Sequence, residues 1–158
     1  MTVYVSTRGL AARRDFEGVL LAGLAEDGGL FVPETWPQLT AADLMAMRAL
    51  DYPDLAARFL APFTAGCLDE GALRAMARDV YGRFGHAATA PLVQLGPDDW
   101  LLELFHGPTL AFKDLAMQLL AAMLDAVLAR RGQRITIVGA TSGDTGAAAV
   151  RAFAGNAH

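Results

Sequence analysis

Ile135-Thr136-Ile137-Val138-Gly139-Ala140-Thr141-Ser142-Gly143-Asp144-Thr145-Gly146 joins a β-branched run to a glycine-rich turn and then to a stretch of small residues. The run reads as a buried strand over 135–138, and the small residues from Gly143 to Ala154 read as a helix. Upstream, a long helix is expected from about Ala111 to Arg130, where Arg130-Arg131-Gly132 supplies the cations and glycine of a helix C-terminus. Before it, Pro91–Leu95 and Trp100–Phe105 read as two strands, and Gly96-Pro97-Asp98-Asp99 as a hairpin turn between them. Strand, helix, strand and helix in this order open an α/β parallel-sheet domain.

In such a sheet, ligands bind outside the carboxyl ends of the strands, where the 139–146 loop lies. Its glycines let backbone N–H groups at a helix N-terminus approach an anion, and the hydroxyls of Thr141, Ser142 and Thr145 add donors for a carboxylate or phosphate. The plain alternative is that Ser142 or Asp144 only caps the helix. A Walker loop is excluded, because Asp144 and Thr145 stand where that motif, counted from Gly139, needs its Gly-Lys pair. Glycines at 139, 143 and 146 also miss the G-x-G-x-x-G spacing of a dinucleotide site.

Lys113 follows Phe105-His106-Gly107-Pro108-Thr109-Leu110-Ala111-Phe112 and falls near the start of the long helix. The partial positive charge of a helix N-terminus opposes a cation there and favours the neutral amine, the form a Schiff-base lysine needs. Asp114 offsets part of that effect. The alternative is a solvated lysine on a polar face.

The first half reads as short helices. Phe16, Val19, Leu20, Leu21 and Leu24 have helical spacing, with Asp27-Gly28-Gly29 expected to end that helix, and Leu30–Val32 is a short extended piece before Pro33. Further helices are expected over Ala41–Leu50 with Thr40 as N-cap, from Pro53 to about Phe63, and over Glu70–Phe84 with Asp69 as N-cap. Their apolar faces, including Leu44, Met47, Leu55, Phe59, Leu73, Met76, Val80 and Tyr81, are expected to form core.

At 158 residues the chain is one domain, or a small domain and part of another. It is 54% hydrophobic with a net charge of −4 and no basic cluster, which argues against a nucleic-acid binder and points to small molecules or other proteins as partners. Cys67 is the sole cysteine, so an internal disulfide is excluded and a reducing cytoplasm is expected. Leu115–Ala129, the longest apolar stretch, is interrupted by Gln118 and Asp125 and is too short to span a bilayer.

Three segments, in order, closely resemble the threonine synthase family, pyridoxal-phosphate enzymes of fold type II. They are Tyr4–Gly9 with Gly23–Pro33, then Glu103–Asp114, then Ala140–Gly146. The resemblance implies a small, mostly helical N-terminal domain over 1–86, then over 87–158 the incomplete start of an open-sheet catalytic domain. It implies conversion of O-phospho-L-homoserine and water to L-threonine and phosphate, or a threonine synthase-like phospho-lyase acting on another phosphorylated amino acid. Lys113 is then the residue that holds pyridoxal phosphate covalently and shuttles protons. Thr141, Ser142, Gly143 and Thr145 would hold the substrate carboxylate, and Asp144 would lie near the cofactor's 3′-oxygen. Arg8 and His106 are weaker candidates for phosphate or substrate contacts, each with a structural alternative as ion-pair or turn partner.

Members of this group continue into a glycine-rich loop for the cofactor phosphate and a Ser or Thr facing the pyridine nitrogen. Neither is in these 158 residues. The expectation is therefore a fragment, a truncated product, or a chain completed by another chain or by self-association, with weak cofactor binding and no turnover alone.

Overall fold

The computed structural model describes all residues, 1–158. They divide into two compact units: Met1–Leu50 with Asp54–Ala75, and Asp51–Pro53 with Met76–His158.

The first unit begins with β1 (Tyr4–Ser6), which pairs antiparallel with β2 (Phe31–Pro33). Between them, α1 (Phe16–Ala22) is capped by Asp15, whose carboxylate accepts the Gly18 N–H at 2.8 Å. The helix stops at Gly23, earlier than the sequence suggests, because Gly23 takes a positive φ of 69° that closes the last turn onto Val19.

Asp27 is thereby free for a different task. Its carboxylate accepts hydrogen bonds from Ser6 Oγ and from the N–H groups of Leu10, Ala11 and Gly29, and so gathers three segments of chain. These bonds, the one from Ser6 foremost, hold the Asp27 carboxyl below the ordinary carboxylate range.

α2 (Ala41–Met47) opens on a reciprocal capping box between Thr40 and Asp43. α3 (Tyr52–Thr64) carries Pro53 in its first turn. α4 (Glu70–Tyr81) is capped by Asp69, which accepts the Ala72 N–H at 2.7 Å. Of the expected core residues, Met47, Leu73, Val80 and Tyr81 are buried, whereas Leu44, Leu55 and Phe59 are exposed.

In the second unit, β3 (Leu92–Gln94) and β4 (Trp100–Leu102) form the expected hairpin, with Val93 opposite Leu101. Both faces are open, leaving Leu92, Trp100, Leu101 and Leu102 exposed. α5 (Asp114–Arg131) follows and ends at Gly132 in the left-handed conformation. Leu119, Ala121, Met123, Leu124, Val127 and Leu128 bury most of its circumference. α6 (Asp144–Phe153) packs against α5 through the buried Ala148. No helix is long and apolar enough to cross a membrane.

The strand expected after α5 does not form. Ile135–Val138 is not a strand, and Ile135, Ile137 and Val138 are exposed at 43%, 50% and 90%. A parallel strand needs neighbours to take its backbone groups. Here β3 and β4 pair only with each other, and the segment's link is Ile135 N–H to the His158 carbonyl. The observed sheets are two antiparallel pairs.

The Asp27 network makes a pH-dependent prediction. Because the folded carboxyl is the more acidic, its contribution is complete above the unfolded value of about 3.9 and is lost as pH falls through the folded value. Asp27→Asn should lower the thermal unfolding midpoint at neutral pH, and the gap from wild type should close as pH is taken below about 4. A gap that stays constant down to acid pH would contradict this role.

Candidate active site

Lys113 occupies the residue before the first turn of α5, in helical conformation with φ −65° and ψ −20°. The helix starts here and not at Ala111, because residues 111–115 close short three-residue turns, Asp114 N–H to Ala111 and Leu115 N–H to Phe112. The amine is partly buried and stands 4.1 Å from the centre of the Phe112 ring.

The turn before it is held by Asp114, which has no exposed surface. Its Oδ2 accepts the Thr109 N–H at 2.7 Å and the Thr109 hydroxyl at 2.9 Å. Gly107 lies so close that a side-chain carbon there would stand 2.5 Å from that same oxygen, so this position admits only glycine. From the other side, the Tyr81 hydroxyl donates to the Leu115 carbonyl at 2.9 Å. Burial raises the Tyr81 phenol far above its ordinary range, and Tyr52 adds to the shift. The first turn of α5 is thus fixed by two buried side chains.

The second element is the 139–146 loop. Neither Ser142 nor Asp144 caps α6; the N-cap residue is Gly143, without a side-chain bond. Thr141 organises the loop instead: its Oγ1 accepts the N–H groups of Gly143 at 3.1 Å and Gly146 at 3.0 Å. The Gly143 amide is therefore engaged within the loop, while the side chains of Ser142 and Thr145 face solvent. First-turn N–H groups of a helix have no intrahelical acceptor, which leaves those of Asp144 and Thr145 to meet an anion.

The other two candidates are occupied elsewhere. Arg8 Nη1 donates to the Asp27 carbonyl at 2.9 Å and stacks over Gly28, a backbone brace where the sequence allowed an ion pair. His106 Nε2 is 2.7 Å from Glu103 Oε2, and its ring lies against His86 and Phe105. A cavity of about 400 Å³ lies at the C-terminal end of α5, lined in part by Leu124, Asp125, Ile135 and Phe153.

The site also has a feature overlooked by motif reading. Lys113 is the only lysine; the other twelve basic residues are arginines. A primary side-chain amine, the group that condenses with an aldehyde, thus exists at one position. Asp114 was equally legible, since Gly107, Thr109 and Asp114 together spell a turn closed by a carboxylate.

A profile of the threonine synthase N terminus matches residues 3–81. The chain belongs to the threonine synthase family. Threonine synthase from Pseudomonas aeruginosa is 54% identical over 93% of this chain and 31% of its own length. Threonine synthase-like 2 from Homo sapiens is 41% identical over 96% of this chain and 32% of its own. The crystal structure of pyridoxal-phosphate-bound threonine synthase from Brucella melitensis superposes with a TM-score of 0.96 at 55% identity, over 99% of this chain and 34% of that one. The chain spans about a third of the length of these relatives.

The Thr141 staple is directly testable. Thr141→Val removes the acceptor of both amides, so hydrogen exchange at Gly143 and Gly146 should accelerate while Ser142→Ala leaves both unchanged. Equal protection in Thr141→Val would mean that the loop is held by other contacts.

Proposed function

We propose that this chain carries the cofactor-anchoring lysine and the substrate-carboxylate loop of a threonine synthase. The reaction is conversion of O-phospho-L-homoserine and water to L-threonine and phosphate. The observation behind this reading is the placement of the only lysine. It heads α5 behind a turn locked by a buried carboxylate, in a fold shared at TM-score 0.96 with a pyridoxal-phosphate-bound family member.

The residues present fit pyridoxal phosphate. An aldehyde needs one accessible primary amine, and Lys113 is only partly buried, its amine beside the Phe112 ring. When bound, pyridoxal phosphate supplies an electron sink for negative charge developing on the substrate carbons. Lys113 would hold the cofactor covalently, and its amine would accept and return protons at the substrate carbons. Ser142 and Thr145 offer hydroxyl donors, and the first turn of α6 offers amides, to the substrate carboxylate. Thr141 and Gly143 serve by shaping that loop, and Asp144 is assigned to the cofactor's 3′-oxygen.

The finer fold assignment belongs to the same proposal. Residues 135–138 become a strand of an open α/β sheet when flanking strands cover them. The exposed apolar residues of 135–138 and of the β3–β4 hairpin support this, together with relatives about three times as long. A second reading, a threonine synthase-like protein acting on another phosphorylated amino acid, draws on the 41% identity with threonine synthase-like 2. Phosphate release from O-phospho-L-homoserine by a length-matched family enzyme carrying this segment distinguishes the two.

The amine assignment has its own test. Incubation with pyridoxal phosphate and borohydride fixes even a sparsely occupied adduct, because reduction is irreversible. Peptide mapping should place the adduct mainly on Lys113, and Lys113→Arg should leave only the Met1 α-amine modified. Labelling of Met1 in preference to Lys113 in the wild-type chain would refute the assignment.

A further inference from the structure

The head of α5 holds several locally unfavourable features within a few residues of Lys113. Asp114 is wholly buried, and although its Oδ2 is saturated by Thr109, its Oδ1 has no hydrogen-bond partner. One turn further on the same face, Gln118 is buried and its Nε2 is also unpartnered. Buried polar atoms left unpaired destabilise a fold, and a helix start selected for stability would replace them with apolar groups or exposed caps. In the turn itself Leu110 takes a positive φ of 62°, a conformation unfavourable for a residue with a branched side chain. Gly107 must remain without a side chain to let the backbone reach Asp114.

These features share one geometric result. They bend residues 107–112 back over the first turn of α5 and thereby fix the direction in which the chain enters Lys113. Strain of this kind persists where the surrounding structure imposes it, and it concentrates at functional positions.

We propose that Asp114 is a positioning residue for Lys113: by clamping both the N–H and the hydroxyl of Thr109, it sets where the amine of the only lysine stands. The inference rests on the assignment of Lys113 as the cofactor-anchoring amine, and adds to it the group that aims that amine. Asp114 acts through Thr109 and Gly107 and makes no bond to Lys113.

The test uses the full 158-residue chain and its two primary amines, Lys113 and the α-amine of Met1, the latter serving as internal reference. Pyridoxal phosphate with cyanoborohydride is applied over a pH series, and the ratio of Lys113 to Met1 modification is read by peptide mapping. Asp114→Ala should lower that ratio by up to about a hundredfold, the scale on which an ångström of misplacement slows a reaction. Gly107→Ala, whose added carbon would meet the Asp114 side chain and force the two apart while leaving the carboxylate in place chemically, should lower it similarly.

Asp114→Asn should stay within about threefold of wild type, because the amide oxygen accepts the same two bonds. A purely structural role would lower the unfolding temperature of the variants but leave the ratio of their folded populations unchanged. The proposal is overturned if Asp114→Ala and Gly107→Ala keep the wild-type ratio, or if Asp114→Asn is as impaired as Asp114→Ala. Should Asp114→Ala fail to fold, Gly107→Ala and Asp114→Asn decide the matter alone. If Lys113 of the wild type reacts no faster than Nα-acetyl-lysine amide, the lysine assignment falls and this inference with it; if it reacts faster but all variants match it, only this inference falls.

Discussion

The carboxylate of Asp114 accepts two hydrogen bonds from Thr109 inside the protein, while the Tyr81 hydroxyl donates to the Leu115 carbonyl one residue further along. Both bonds act on the same helical turn. A charge-assisted pair to a buried carboxylate is among the stronger local ties available to a chain. With α5 buried around most of its circumference, the helix head has little freedom to rotate or fray. The position of Lys113 follows from that rigidity and not from any bond of its own, since its amine rests against the Phe112 ring.

The 139–146 loop uses the opposite strategy. It is exposed, and its order comes from one short-range device, the two amides drawn onto Thr141 Oγ1. This leaves a helix start whose dipole and free amides face outward, the arrangement that favours a carboxylate. α6 packs on α5, so the loop leads into a helix braced by the element that Lys113 heads. A braced lysine and an exposed helix start are the arrangement that the proposed division between an anchored cofactor and an arriving carboxylate calls for.

Local chemistry was legible in the sequence wherever the decisive contacts lay within a few residues. The Thr40 and Asp69 N-caps, the hairpin around Pro97-Asp98-Asp99 and the glycine stop at Gly132 all formed as read. The failures required partners far along the chain or outside it. Ile135–Val138 has the composition of a buried strand, yet pairing depends on neighbours that composition does not provide. Asp27 was read as part of a helix stop, because its ties to Ser6, Leu10 and Ala11 span 16 to 21 residues. Lys113, the proposed anchoring lysine, was singled out because the turn before it and the helix after it are both local features of the sequence. The loop residues were read as one group, but their arrangement, with Thr141 Oγ1 bonded to two loop amides and Ser142 and Thr145 open to solvent, depends on backbone geometry that spacing does not encode.

One amine, held by a locked helix head, is the proposed reactive group of this chain. Selective ¹⁵N labelling of the lysine side chain gives a single resonance, because Lys113 is the only lysine. On titration with pyridoxal phosphate, that resonance should give way to one imine signal at cofactor concentrations well below those needed to convert Nα-acetyl-lysine amide under the same conditions. A lysine signal converted only at the concentrations that convert the free amide would contradict the account.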